Sequence, residues 1–220
     1  MKVILVALLL LLISVFASAQ KTKLPEILQP GELAVLEAAQ LNAGVFRILP
    51  RERYEADMLS YNEEYSPLGI RGGGAYYSFS ASSHSFDATP ELGLEKGELS
   101  VGVNGFDFGM LTDLGAIPLQ SVSLATPEAQ AMSAYAPPAD EVDARELKRK
   151  PLAVHGFSFG RREKVVVGHT YLVRAIAYDE ADILVTFHVF GTAEKGAYDI
   201  IWLKIKDFPV TKFIPERTVR

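Results

Sequence analysis

An α+β, β-rich fold is predicted for this chain: antiparallel hairpins and a C-terminal β-meander, forming a sandwich-like or helix-covered sheet, with one N-terminal packing helix. Three observations predict it. Runs rich in β-branched and aromatic residues recur in the last third, at Val165–Val167, Tyr171–Tyr178, Ile183–Phe190 and Tyr198–Ile205, separated by short polar breaks. Asn104-Gly105, a dipeptide suited to a type I′ turn because both central residues need positive φ, lies between two alternating segments. Helical periodicity is confined to a few short stretches.

Residues 1–19 read as a cleaved signal peptide. Lys2 gives a positive start, Val3 to Val15 an apolar run, and Ala17-Ser18-Ala19 a small-x-small cleavage site. The run is short of the ~20 apolar residues a membrane span needs, and Gln20, Lys21 and Lys23 follow it. The expected location is therefore secreted or periplasmic, with no stable span after cleavage; an uncleaved anchor is the alternative. The chain has no cysteine, which excludes disulfides, thiolate metal sites and cysteine nucleophiles, so an exported domain must rely on its core. A length of 220 residues suffices for that core.

The formal charge of −5 argues against nucleic-acid binding, which needs a dense basic face. The basic cluster Arg145 to Lys150 is flanked by Asp140, Glu141, Asp143 and Glu146 and reads as a solvated charged stretch.

In chain order, an N-terminal segment (20–50) contains the packing helix 31–44, apolar nearly all round and ended by Asn42-Ala43-Gly44. A β-rich region (51–125) follows. Tyr54, Met58, Tyr61 and Tyr65 stand at helical spacing in it and read as a core-facing stripe. Ala75 to Ala81 alternates, with Tyr77, Phe79 and Ala81 on one face. A hairpin at 104–105 pairs Val103 with Phe106, Val101 with Phe108 and Leu99 with Met110, and a short strand runs through Leu119 to Leu124. A Pro-rich, charged connector (126–151) leads to the antiparallel meander (152–208) and a tail (209–220). With a loop at Asp179–Asp182, Tyr178 pairs with Ile183, Ile176 with Val185, and Arg174 faces Phe187. Trp202 then falls on either the Arg174 face or the His188 face, depending on the next loop.

Gly156-Phe157-Ser158-Phe159-Gly160 matches the G-x-S-x-G nucleophile elbow, with Asp182 and His188 following in triad order. An elbow requires a strand before it and a helix after it, whereas Arg161 to Gly168 reads as β. A small secreted serine hydrolase using Ser158, Asp182 and His188 is thus the alternative reading. His84, His155, His169 and His188 lack metal-ligand spacing, and the acids at 179–182 lack a calcium-loop pattern. No phosphate-binding glycine motif is present.

No catalytic residues, metal or cofactor are assigned. The favoured expectation is a non-enzymatic binding or cell-envelope interaction domain, with an unknown ligand or envelope protein as partner. Tyr76, Tyr77, Arg174 and Trp202 are its candidate binding residues, and a structural envelope component is the further alternative.

Overall fold

A computed structural model describes residues 42–53, 74–84, 89–103, 107–147, 151–193 and 196–214. The signal segment, the predicted helix up to residue 41, the tyrosine stripe and Asn104-Gly105 itself lie outside these residues.

The chain forms antiparallel sheets with few, short helices. A five-stranded sheet has the order β1 (Ala43–Ile48), β11 (Tyr198–Asp207), β10 (Ala181–Thr192), β9 (Thr170–Ala177), β5 (Phe108–Asp113). A four-stranded sheet runs β2 (Tyr76–Tyr77), β3 (Leu92–Glu95), β4 (Glu98–Val101), β8 (Arg162–Lys164), and β6 (Leu152–Val154) pairs with β7 (Phe157–Phe159) as a ribbon. Strands β9, β10 and β11 are the meander that the β-branched runs predict. The Val165–Val167 run is not a strand; pairing stops at Lys164 and resumes at Thr170.

All eight residues of β9 are buried because both faces of its sheet are covered. On one face Tyr171, Val173, Ala175, Val185, Phe187 and Trp202 meet Tyr77, Phe79, Leu92, Leu94, Leu99 and Val101 of the other sheet in a single cluster. Aromatic stacking dominates it. Phe46 lies 3.7 Å from Tyr77, ring centroid to centroid, and Phe79 meets Trp202 edge-on at 5.3 Å. Such pairs contribute ~0.5–1.5 kcal/mol each beyond the area they bury. The other face packs Met110, Leu172 and Leu184 against Val154, Phe159 and helix α1 (Pro127–Ala134).

Several local expectations change. Two-residue turns with both central φ positive occur at Lys96-Gly97 (52° and 74°) and His155-Gly156 (48° and 86°), closing β3–β4 and β6–β7. Strand β4 therefore pairs with β3 and β8, and β5 with β9, so Val101–Phe108 and Leu99–Met110 are not the pairs that form. Leu99 and Val101 join the inter-sheet cluster, whereas Phe108 and Met110 pack on the opposite face of the five-stranded sheet, so the four do not share one face.

In the meander the β9–β10 loop is Tyr178–Glu180, with Asp179 at φ 64°, rather than Asp179–Asp182. The register shifts by an odd number of residues: Arg174 faces Leu184, and Phe187 faces Tyr171 and Trp202. Every side-chain face is exchanged as a result, and Arg174 and His188 share the face opposite Trp202.

Ala43 and Gly44 begin β1 instead of ending a helix. A Cβ on Gly44 would stand 2.8 Å from Trp202 Nε1, so this glycine admits the indole. The alternating stretch from Ala75 turns back after Phe79, with Ser78 bridged to Ser83. Leu119–Ser121 is a 3₁₀ turn after Pro118 rather than a strand, and its buried Leu119 and Val122 are three apart, as that helix requires. The connector contains α1 and α2 (Glu141–Leu147), and Ala129, Ala131, Met132 and Ala144 are buried. The start of the tail packs too, with Phe213 stacked 4.0 Å from Tyr178.

Candidate functional site

Of the four sequence-derived binding candidates, two are core. Tyr77 and Trp202 are 4% and 1% exposed within the inter-sheet cluster, out of reach of a surface ligand.

Arg174 is also buried. Nε and Nη2 donate to the two carboxylate oxygens of Asp182 at 2.8 and 2.7 Å, and Nη1 donates to the Met132 and Tyr135 carbonyls at 2.5 and 2.7 Å. Its guanidinium lies 3.8 Å from the Phe208 ring centre. Rather than stacking on Trp202, Arg174 ties the end of α1 to the meander.

Asp182 is thereby committed to Arg174. His188 Nδ1 lies 2.9 Å from Thr170 Oγ1, whose own proton goes to the Ile117 carbonyl. Ser158 is exposed on β7, opposite Ala153, and Gly156 of the elbow-like pattern is the turn glycine of the β6–β7 ribbon. The serine sits on an ordinary strand rather than a strand-to-helix elbow, and Asp182 points its carboxylate to Arg174. Elsewhere His84 meets the Tyr76 carbonyl at 2.6 Å, and His169 meets Asp113 at 2.8 Å. Among the described residues no group of three acids or histidines is placed to hold a metal ion.

Tyr76 is the candidate that reaches a cavity. It pairs with Gly93, where a Cβ would stand 3.0 Å from both the Tyr76 ring and Ser100 Oγ, so the absent side chain lets the ring lie across the strand. Beside it opens a cleft of about 560 Å³ lined by Arg51, Glu95, Ser100, Arg161 and Arg162 among others. That volume is in the range of small-molecule sites.

Three separate positions supply the arginines: Arg51 follows β1, Arg161 precedes β8, and Arg162 opens β8. Nη2 of Arg161 donates to the Val101 and Gly102 carbonyls at 3.1 and 2.5 Å. Gly102, at φ 65°, makes room for it, since a Cβ there would lie 3.0 Å from that nitrogen and 2.6 Å from Phe108 Cα. Burial, and then the neighbouring Arg162 charge, push the Arg161 pKa below its ordinary value. Arg162 is half exposed and bridges Glu95 at 3.2 Å and Glu98 at 3.5 Å. Sequence reading passed over this cluster because Arg161-Arg162 is only a dipeptide; its third member is more than a hundred residues upstream.

A second recess, of about 330 Å³, is floored by Glu91, which is 3% exposed. Its carboxylate accepts from Phe79 N at 2.5 Å and from the Ser80 amide and hydroxyl, holding the turn after β2. Burial raises the Glu91 pKa, and the donors from Ser80, Ser78 and Phe79 only partly oppose it. These donors belong to the chain itself, so Glu91 closes a turn. No described helix is long and apolar enough to cross a membrane. No family model matches this chain, and neither a curated protein nor a solved structure matches it.

Proposed function

We propose that this chain is an exported, non-enzymatic binding domain whose ligand site is the cleft beside Tyr76. Export is supported by the Lys2, apolar-run and Ala17-Ser18-Ala19 pattern. The observation that carries the binding reading is the cleft itself: about 560 Å³, with an aromatic ring and three guanidinium groups on one wall system. With it we propose the finer architecture, sandwich-like on one face of the five-stranded sheet and helix-covered on the other, with an N-terminal packing helix that ends before β1.

Native mass spectrometry of the chain isolated from its own exported fraction tests the reading. A retained small molecule that is lost in Tyr76→Ala, with the unfolding midpoint unchanged, is the expected result. A bare chain, or a ligand indifferent to Tyr76, would contradict the site. A retained envelope protein in place of a small molecule would move the function to the interaction alternative. Labelling of Ser158 by a fluorophosphonate probe would overturn the non-enzymatic part.

A further inference from the structure

We infer that the groove between the β9–β10 turn and the connector is a peptide seat, filled here by the chain's own residues 209–214, and that a second copy of this chain fills it with the same segment. Two copies then exchange these segments reciprocally. The inference stands apart from the cleft beside Tyr76 and does not depend on it.

After β11 the segment joins none of the described sheets; it is laid on the molecule as a bound peptide is. Its side chains alternate: Thr211 and Phe213 are partly buried, whereas Val210, Lys212 and Ile214 are exposed. Main-chain bonds hold it from both walls. The Asp179 amide donates to the Thr211 carbonyl, and the Ile214 amide donates to the Ala139 carbonyl, each at 3.0 Å. The anchor is Phe213, stacked 4.0 Å from Tyr178 and packed with the cluster of Phe108, Ala144, Ile176 and Tyr178. Tyr178 is itself braced, since its hydroxyl donates to the Pro138 carbonyl at 2.9 Å. Main-chain bonds for affinity and a pocket for an inward side chain are the means by which proteins recognise extended peptides.

Each copy carries both the seat and the segment, already matched in sequence. Reciprocal exchange keeps the contacts of the seat and is a low-cost route to a two-fold dimer. A pivot for it is in place. The Phe208 amide donates to the Asp182 carbonyl at 2.8 Å and its ring centre lies 3.8 Å from the Arg174 guanidinium, so the chain is fixed just before Pro209, whose locked φ restricts the direction in which the segment departs. Exchange also adds something that a single copy lacks. Val210 is 39% exposed and Ile214 67%, and two segments passing side by side at the two-fold axis cover these outward apolar side chains.

The chain has no cysteine, so introduced thiols report exchange without background. Glu180→Cys and Lys212→Cys stand at exposed positions beside the seat and on the segment. In dilute solution the full chain carrying both substitutions should crosslink within itself through a short bismaleimide; failure of that link would contradict the seating of the segment. The two single variants are then mixed, concentrated together to about 1 mM, the scale of a short tether's effective concentration, and crosslinked. The expected product is a dimer joined from position 180 of one copy to position 212 of the other, mapped by mass spectrometry, with a yield that rises with concentration. Adding Ile214→Lys to both chains should cut that yield severalfold while leaving the urea midpoint within error, because this side chain is exposed in the single copy. Products joined only from 212 to 212 would mean that copies touch without exchanging and would overturn the inference. A chain that stays monomeric throughout would overturn it as well.

Discussion

Arg174 and Arg161 each donate to two backbone carbonyls, yet one is buried beneath a sheet and the other lines an open cleft. Around Arg174 the protein supplies everything a guanidinium needs: both oxygens of Asp182, two carbonyls and the face of Phe208, with the side chain 2% exposed. Arg161 is partly exposed at the wall of a cleft, with Nη2 held by two carbonyls. The comparison teaches that a buried guanidinium met on both forks by one carboxylate, as Arg174 is, is architecture, whereas one at a cleft wall stays within reach of solvent.

The sharpest way to break this comparison is to remove Arg174. Arg174→Ala strands the Asp182 carboxylate, 1% exposed, in the covered face of the sheet, and urea unfolding should show a loss of ~3–5 kcal/mol. Arg174→Met with Asp182→Leu should recover much of that loss, because the penalty comes from the unpaired charge. A loss below ~1 kcal/mol for Arg174→Ala would refute the structural role.

The inter-sheet cluster offers a smaller effect. Gly44→Val drives a branched side chain into the Trp202 indole, which a Cβ already approaches to 2.8 Å, and should cost ~1–3 kcal/mol with a change in tryptophan fluorescence. Unchanged fluorescence and stability would mean that Trp202 is not seated against β1.

Glu91 gives a pH-dependent effect. Its folded-state pKa is raised above the ordinary 4.5, so its contribution is full below that value and is lost as pH rises through the raised one. Relative to Glu91→Gln, the wild-type chain should therefore gain stability on acidification from about pH 7 toward the ordinary carboxyl range. Parallel pH profiles for the two proteins would contradict the burial. The smallest effect belongs to the cleft: Arg162→Gln should alter stability by less than ~1 kcal/mol, since Arg162 is half exposed and its ion pairs are solvent-screened.

Much of the sheet was legible in the sequence, because a strand covered on both faces reads as a continuous β-branched and aromatic run, as Thr170–Ala177 does. Register was not. Asp182 looks like a loop residue by polarity, and only its pairing with Arg174 makes it a strand residue, so the loop was placed too long. The hairpin at 104–105 failed for a related reason. Val101 and Phe108 have the right alternation, but strands that can pair on either edge carry no local mark of which edge is taken. The turns that do close two-residue hairpins, Lys96-Gly97 and His155-Gly156, were marked only by an X-Gly between alternating apolar residues. The same gap hid the cleft. Arg51, Arg161 and Arg162 converge through sheet topology, not through spacing; Tyr76, named for its aromatic ring, lines the same cleft. Tyr77 and Trp202, chosen on the same ground, went to the core because their faces were unknown before the register was.

The account turns on Arg174 as a buried guanidinium neutralised inside the fold. The most direct measurement is urea unfolding of Arg174→Ala beside the double variant Arg174→Met/Asp182→Leu. The single variant should lose ~3–5 kcal/mol and the double variant should recover much of it. Equal losses in the two, or no loss in the single variant, would contradict it.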